Sequence, residues 1–316
     1  MSGPATRRDF LKTSTLVAGG IILTRTGVFP EAVFGADAKP ILSVARWDEA
    51  LIAEADLTQM AVKLTETAVA NLGGMGRFVE KGHTVWIKPN IGWNRRPELA
   101  ANTNPDVVGT LVRLCKAAGA KTVKVGDHPC HPARQCYRNS GIAKAVEAAD
   151  GKMIYLDKKR FTDADIGGEH LEKWPVYAEV MDADLVINVP VLKHHGLTGV
   201  SAAMKNYMGV IGGNRGSWHQ NMDGCLTDIT AFMKPRITIL DAVRTLNDHG
   251  PQGGDPNDVS VRGVVAASTD IVALDAFGVT LLGHAPADIK PIAAAEARGL
   301  GTADFASLSP VEQILS

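Results

Sequence analysis

"DLVINVPVL", residues 184 to 192, runs directly into "KHHGLTGVSAAMKNYMG", residues 193 to 209. The first segment is almost wholly apolar and rich in β-branched side chains. A continuous run of this kind is what a strand covered on both faces requires, as in a parallel sheet. The second segment follows with Lys193, His194, His195, Ser201, Lys205 and Asn206, and with Gly196 and Gly199 among them. A core strand that leads into two imidazoles and two ammonium groups places chemistry at one end of a sheet.

Other runs repeat the pattern. "HTVWIKPN" (83–90), "AKTVKVGD" (120–127), "GKMIYLD" (151–157), "PRITILDAV" (235–243) and "VRGVVAAS" (261–268) read as strands. Helical periodicity occupies 57–72, 105–118, 140–149, 225–233 and 269–282, with Pro105 and Asp106 as a start signal and Gly119 as a stop. Strand–helix alternation predicts an α/β fold, a doubly wound, mostly parallel sheet with helices on both faces. In such sheets ligands bind beyond the carboxyl ends of the strands. Four polar segments fall there: Lys88, Asn90 and Asn94; Asp127, His128 and His131; the cluster from Lys193; and Asp241, Arg244, Asp248 and His249. They are expected to line one cleft.

Each cluster suggests a chemistry. Ser201 suits the N-cap of a short helix, and Lys205 four residues on would share its face, making a ready anion site. In "GDHPCHPARQC" the prolines Pro129 and Pro132 argue for a rigid loop rather than a helix. Asp127, His128, Cys130 and His131 there can be metal ligands, or Asp127 can orient His128 as a base. His219 in "NRGSWHQN" is a third source of imidazole.

The N-terminus predicts where the protein works. "TRRDFLK" (6–12) precedes an apolar, uncharged stretch (13–23), and "ADA" follows at 36–38. This reads as a twin-arginine signal over 1–38, recognised by the twin-arginine export machinery and either cleaved after Ala38 or retained as an anchor, with the α/β domain over 39–316. A periplasmic or otherwise exported location follows, with no membrane span after cleavage. Removing four basic and three acidic residues with the signal, from totals of 33 and 34, leaves a net charge of −2. That charge excludes a dominant polyanion surface, so no nucleic-acid partner is expected. The four cysteines, Cys115, Cys130, Cys136 and Cys225, form no C-x-x-C pair, so no iron–sulfur motif is encoded. Cys130 and Cys136 are close enough in sequence to close a short disulfide loop outside the cytoplasm.

"VWIKPN", "DLVINVPVLKHHGLTGVSAAMKNYMGVI" and "STDIVALDAFG" together resemble the DUF362 family, a domain of unknown function. Relatives often carry a ferredoxin-like segment, which this cysteine pattern lacks. From His195 the chain also reads H-x3-G-x-S-x3-K to Lys205, which looks like the nickel-pincer lactate racemase family. That resemblance implies His195 and His128 as paired acid/base groups, Lys205 as the covalent holder of the pincer nucleotide and His219 as the nickel ligand. The racemase glycine pair is here Ala202 and Ala203, so shared chemistry and shared ancestry of fold both stay open.

The expected site therefore comprises His128 and His195 as catalytic groups. Lys205, Ser201, Lys88 and Asn90 would bind cofactor or ligand, and His219, His194 and Asp127 a divalent metal; the cofactor itself is unidentified. The small-molecule ligand is anionic or hydroxylated. The function is proton or hydride transfer by a metal- or cofactor-dependent enzyme, or else anion, metal or cofactor binding without turnover.

Overall fold

A computed structural model describes residues 41–316, so the expected signal and its cleavage point lie outside the described residues. The strands in chain order are β1 (Leu42–Trp47), β2 (Thr84–Pro89), β3 (Thr122–Val125), β4 (Lys152–Met153), β5 (Phe161–Asp165), β6 (Lys173–Tyr177), β7 (Leu185–Val189), β8 (Val191–His195), β9 (Gly199–Ser201), β10 (Ile237–Leu246), β11 (Val259–Ser268) and β12 (Val311–Leu315). The principal helices are α1 (Leu57–Asn71), α2 (Pro105–Ala117), α3 (Ala133–Asn139), α4 (Ile142–Ala148), α5 (Ala178–Met181), α6 (Ala203–Asn206), α7 (Met222–Met233), α8 (Ile271–Thr280) and α9 (Lys290–Ala297).

The central sheet has the order β12-β1-β11-β10-β7-β2-β3-β4, with β8 alongside β10 and β9 alongside β8. Six of its pairings are parallel, and those of β11 with β1 and β10, and of β8 with β9, are antiparallel. Successive side chains of a strand alternate between faces. Val85 and Ile87 accordingly enter a core with α1, α2 and α4, while Trp86 enters the opposite core with α6, α7, α8 and α9. Cover on both faces is why these strands read as continuous apolar runs. The α/β, mostly parallel architecture is the expected one.

Several details differ from the sequence reading. Pro190 has no N–H to donate, and the run 184–192 breaks there into β7 and β8. β7 pairs with the start of β10 and β8 with its far half. Lys193, His194 and His195 are thus inside a strand rather than in a loop beyond one. β10 likewise runs through Asp241 and Arg244. Asp241 is buried, accepts from the backbone N–H of Asn104 at 2.6 Å and Val243 at 3.1 Å, and anchors the entry to α2. The run 151–157 keeps only two paired residues, and 261–268 belongs to an antiparallel strand. Pro132 stands at the N-cap of α3 instead of preventing a helix, since only residues after it need donate into the helix. Among the described residues no helix is long and apolar enough to cross a membrane.

Candidate functional site

A cavity of about 440 Å³ opens at the carboxyl ends of β2 and β3, walled by β8, β9, α6 and the segment that carries Arg215 and His219. That volume is in the range of small-molecule sites. Its floor is polar and fully organised. Lys88, completely buried at the end of β2, donates to Pro89 O at 2.6 Å and Asn206 Oδ1 at 2.9 Å, and pairs with Asp127 Oδ1 at 2.7 Å. Burial lowers its pKa while Asp127 opposes that shift. Asp127 also accepts from the N–H of Ile91 at 2.6 Å and of His128 at 2.9 Å. Only glycine fits above this pair, because a Cβ on Gly209 would lie 1.7 Å from Asp127 Oδ1 and 2.6 Å from Lys88 Nζ. Asn206 joins the network, taking an amide proton of Asn90 at 3.1 Å and giving its own to Asn188 Oδ1 at 2.8 Å.

Strand geometry sorts the cluster that opened the sequence. Lys193 and His195, two apart on β8, both line the cavity. His194 points the other way, where its Nδ1 accepts from Gly250 N at 3.1 Å. Lys193 is 1% exposed and donates to Ala101 O at 2.6 Å and Asn90 Oδ1 at 3.1 Å. Desolvation, reinforced by the nearby Lys205 charge, lowers it to about 7. Lys205, on α6, has as its hydrogen-bond partner among the described residues the Met208 thioether at 3.4 Å, and desolvation with help from Arg215 lowers its pKa to about 8. Arg215 spends its guanidinium on the carbonyls of His128, Met208 and Pro129. Among the described residues none of these three cations has a carboxylate partner.

The imidazoles differ in what they offer. His195 Nδ1 accepts from the N–H of Leu197 at 3.2 Å and of Thr198 at 3.3 Å. The ring proton therefore sits on Nε2, making His195 a neutral donor. Burial, with Lys205 and Lys193 nearby, lowers its pKa to about 3. His128 is the reverse: Nδ1 faces Ile211 O at 2.8 Å and donates, so Nε2 keeps a lone pair. Burial holds it neutral, its pKa lowered. His219 has the same tautomer through Gly216 O at 3.0 Å, and its ring stacks near that of His195, centroids 6.4 Å apart.

The cavity thus collects Lys88, Asn90, Asp127, His128, His195, Ser201, Lys205 and His219 from the expected set, and leaves out His194. Ser201 arrives on β9, opposite Lys193, and caps nothing. Asp275 of α8 instead caps α6, accepting from Ala203 N at 2.5 Å and Met204 N at 3.0 Å. Cys130 and Cys136 are both free: Cys136 is buried on α3 and Cys130 is exposed at the cavity, so the short disulfide is not formed. Arg215 and the full burial of Lys193 were missed. The lysine sits two residues before His195 in a strand, and that spacing was the available signal.

Residues 85–280 match a family model described as a domain of unknown function, DUF362. The chain belongs to the DUF362 family. The chain is also similar to the thylakoid-associated protein sll1697 of Synechocystis sp., 34% identical over 244 residues that cover 74% of each chain. Among solved structures, the lactate racemase apoprotein from Thermoanaerobacterium thermosaccharolyticum is similar with a TM-score of 0.41 and 12% identity over 75% of this chain. This DUF362 protein spans about half of that structure, 55% of its length.

Proposed function

We propose that this DUF362 protein binds a small organic anion in the β2–β3–β8 cavity and moves a proton on it. One observation carries the reading: Lys205 and Arg215 converge on one cavity, and among the described residues neither has a carboxylate partner. Both side chains are partly buried, and an anionic ligand would offset the cost of holding their charges away from water. Lys205 and Arg215 hold the negative charge, His195 Nε2–H donates to a substrate oxygen, and His128 Nε2 accepts the proton.

A divalent metal on Asp127, His194 and His219 fits these residues poorly. Asp127 is committed to Lys88 and two backbone N–H groups, and His194, which does not line the cavity, has its Nδ1 taken by the Gly250 N–H. Among the described residues no three His, Cys, Asp or Glu side chains group to hold a metal. A pincer nucleotide asks for less, the Lys205 amine and one imidazole at His219, and both have atoms free of strong partners. When bound, such a group supplies a hydride acceptor. The proton-handling roles of His128 and His195 are the same with or without it.

Calorimetric titration with lactate, pyruvate, phosphate and sulfate tests the anion site, and Lys205→Met should weaken carboxylate binding at least tenfold, about 1.4 kcal/mol. Equal affinity in the variant refutes the assignment. A second reading, binding without turnover, is favoured by the two backbone donors on His195 Nδ1, which make that ring a donor rather than a base toward the cavity. Solvent-deuterium exchange into a bound 2-hydroxy or 2-oxo acid separates the two readings. We also propose export through the "TRRDFLK" signal, in keeping with the thylakoid-associated description of the Synechocystis relative. Arg7→Lys with Arg8→Lys should then retain the protein in the cytoplasm.

A further inference from the structure

Two lysines lie buried side by side in the cavity floor, and their surroundings are different. Lys88 has three acceptors, one of them a carboxylate, so each proton of an ammonium has a destination. Lys193 has two acceptors, both neutral, Ala101 O and Asn90 Oδ1. A neutral amine has two protons and one lone pair. Two acceptors satisfy it completely and orient the lone pair away from both, and Lys193 lines the cavity. As an ammonium it would turn a third proton, with no acceptor among the described residues, into the cavity where the lone pair of the neutral amine points instead. The register also fixes the amine: it stands on β8 against Ser201 of β9, two residues from His195 on the same face.

We propose that Lys193 is a nucleophile that forms an imine with the carbonyl carbon of a small 2-oxo acid. This rests on the anion-site reading above and names its substrate class. Desolvation together with a neighbouring cation is a recognised route to an activated lysine, and here Lys205 is that cation. The Lys193 lone pair attacks the carbonyl carbon while the carbonyl π pair moves to oxygen, which takes a proton from the Lys205 ammonium. The amine nitrogen gives a proton to His128 Nε2. The His128 imidazolium then returns that proton to the hydroxyl, the nitrogen lone pair expels it as water, and the iminium gives its remaining N–H proton to the Lys205 amine, leaving the carbon–nitrogen double bond. The substrate carboxylate pairs with Arg215, and His195 Nε2–H steadies the carbonyl oxygen. No oxidant or reductant is consumed.

The test is reductive trapping. Purified protein is mixed with pyruvate, treated with sodium cyanoborohydride and mapped by peptide mass spectrometry, with lactate as the control lacking a carbonyl. The dominant adduct is expected on Lys193, its yield rising between about pH 6 and about pH 8 as the amine loses its proton. Lys193→Arg should lose it, because a guanidinium cannot make the imine. Pyruvate that binds calorimetrically without a reducible adduct, or an adduct on Lys205 or spread over exposed lysines, overturns the imine and leaves the anion site standing. Failure of both pyruvate and lactate to bind overturns both.

Discussion

Replacing Lys88 with methionine isolates what holds the floor of the site. The change keeps a similar volume and removes the ammonium. Asp127, whose side chain is 3% exposed, then loses its only ion-pair partner among the described residues. Pro89 O and Asn206 Oδ1 lose a donor each, the Asn206 oxygen keeping the Asn90 amide. Breaking one side of a buried pair costs roughly 3–5 kcal/mol, mostly the penalty of an unpaired buried charge. Lys88→Met should lower unfolding stability by about that amount in urea denaturation read by circular dichroism and tryptophan fluorescence. Asp127→Asn on the same background removes the orphaned charge while its Oδ1 still serves a backbone N–H. The double variant should therefore recover part of the loss, giving a coupling of at least about 1 kcal/mol. Additive losses, or a single-variant cost under about 1 kcal/mol, would show that Lys88 and Asp127 are not an interdependent pair.

Gly209→Ala should destabilise through the same pair, since its new methyl collides with Asp127 and Lys88, whereas Gly76→Ala, with nothing within 4 Å, should stay within about 0.5 kcal/mol in the same assay. His195→Ala should weaken lactate binding while His194→Ala leaves it nearly unchanged; equal effects would contradict the alternation along β8. Burial lifts Asp275 to about 7, so the native state holds a proton that the unfolded chain has released above about pH 4. Its contribution to stability accordingly falls as pH rises from about 4 to about 7, and Asp275→Asn should flatten that part of the curve in pH-dependent denaturation. Lactate affinity should decline as pH rises through about 8, where Lys205 loses its charge, and a flat profile would remove Lys205 from the anion's partners. Native thiol labelling should modify Cys130 alone, because burial raises the thiols of Cys115, Cys136 and Cys225.

The fold class was legible because it depends on local pattern. "VWIKPN" and "DLVINVPVL" are apolar at consecutive positions, and only cover on both faces makes that favourable. The helix limits of α2 were legible for a similar reason, with Pro105 at its first position and Gly119 just past its end in the left-handed region at φ +100°. The residue types of the site were legible too, because lysine and histidine cannot be placed cheaply at a strand end without a task or a partner.

Pairing, direction and partner choice were not in the pattern. Whether β11 runs parallel or antiparallel depends on neighbours distant in sequence, as does the break at Pro190 that turns Lys193–His195 into strand. Ser201 has the chemistry of a helix cap, yet Asp275, more than seventy positions later, does the capping. The protonation states follow the same division. "KHH" supplies an amine and two imidazoles. Three acceptors at Lys88 against two at Lys193, and two backbone donors on His195, decide which is charged, which is nucleophilic and which only donates. Those counts are sums over groups that the chain brings together from β2, β3, β8 and α6, and a hydrogen bond between distant segments exists only once the sheet has closed them to within 3 Å or so.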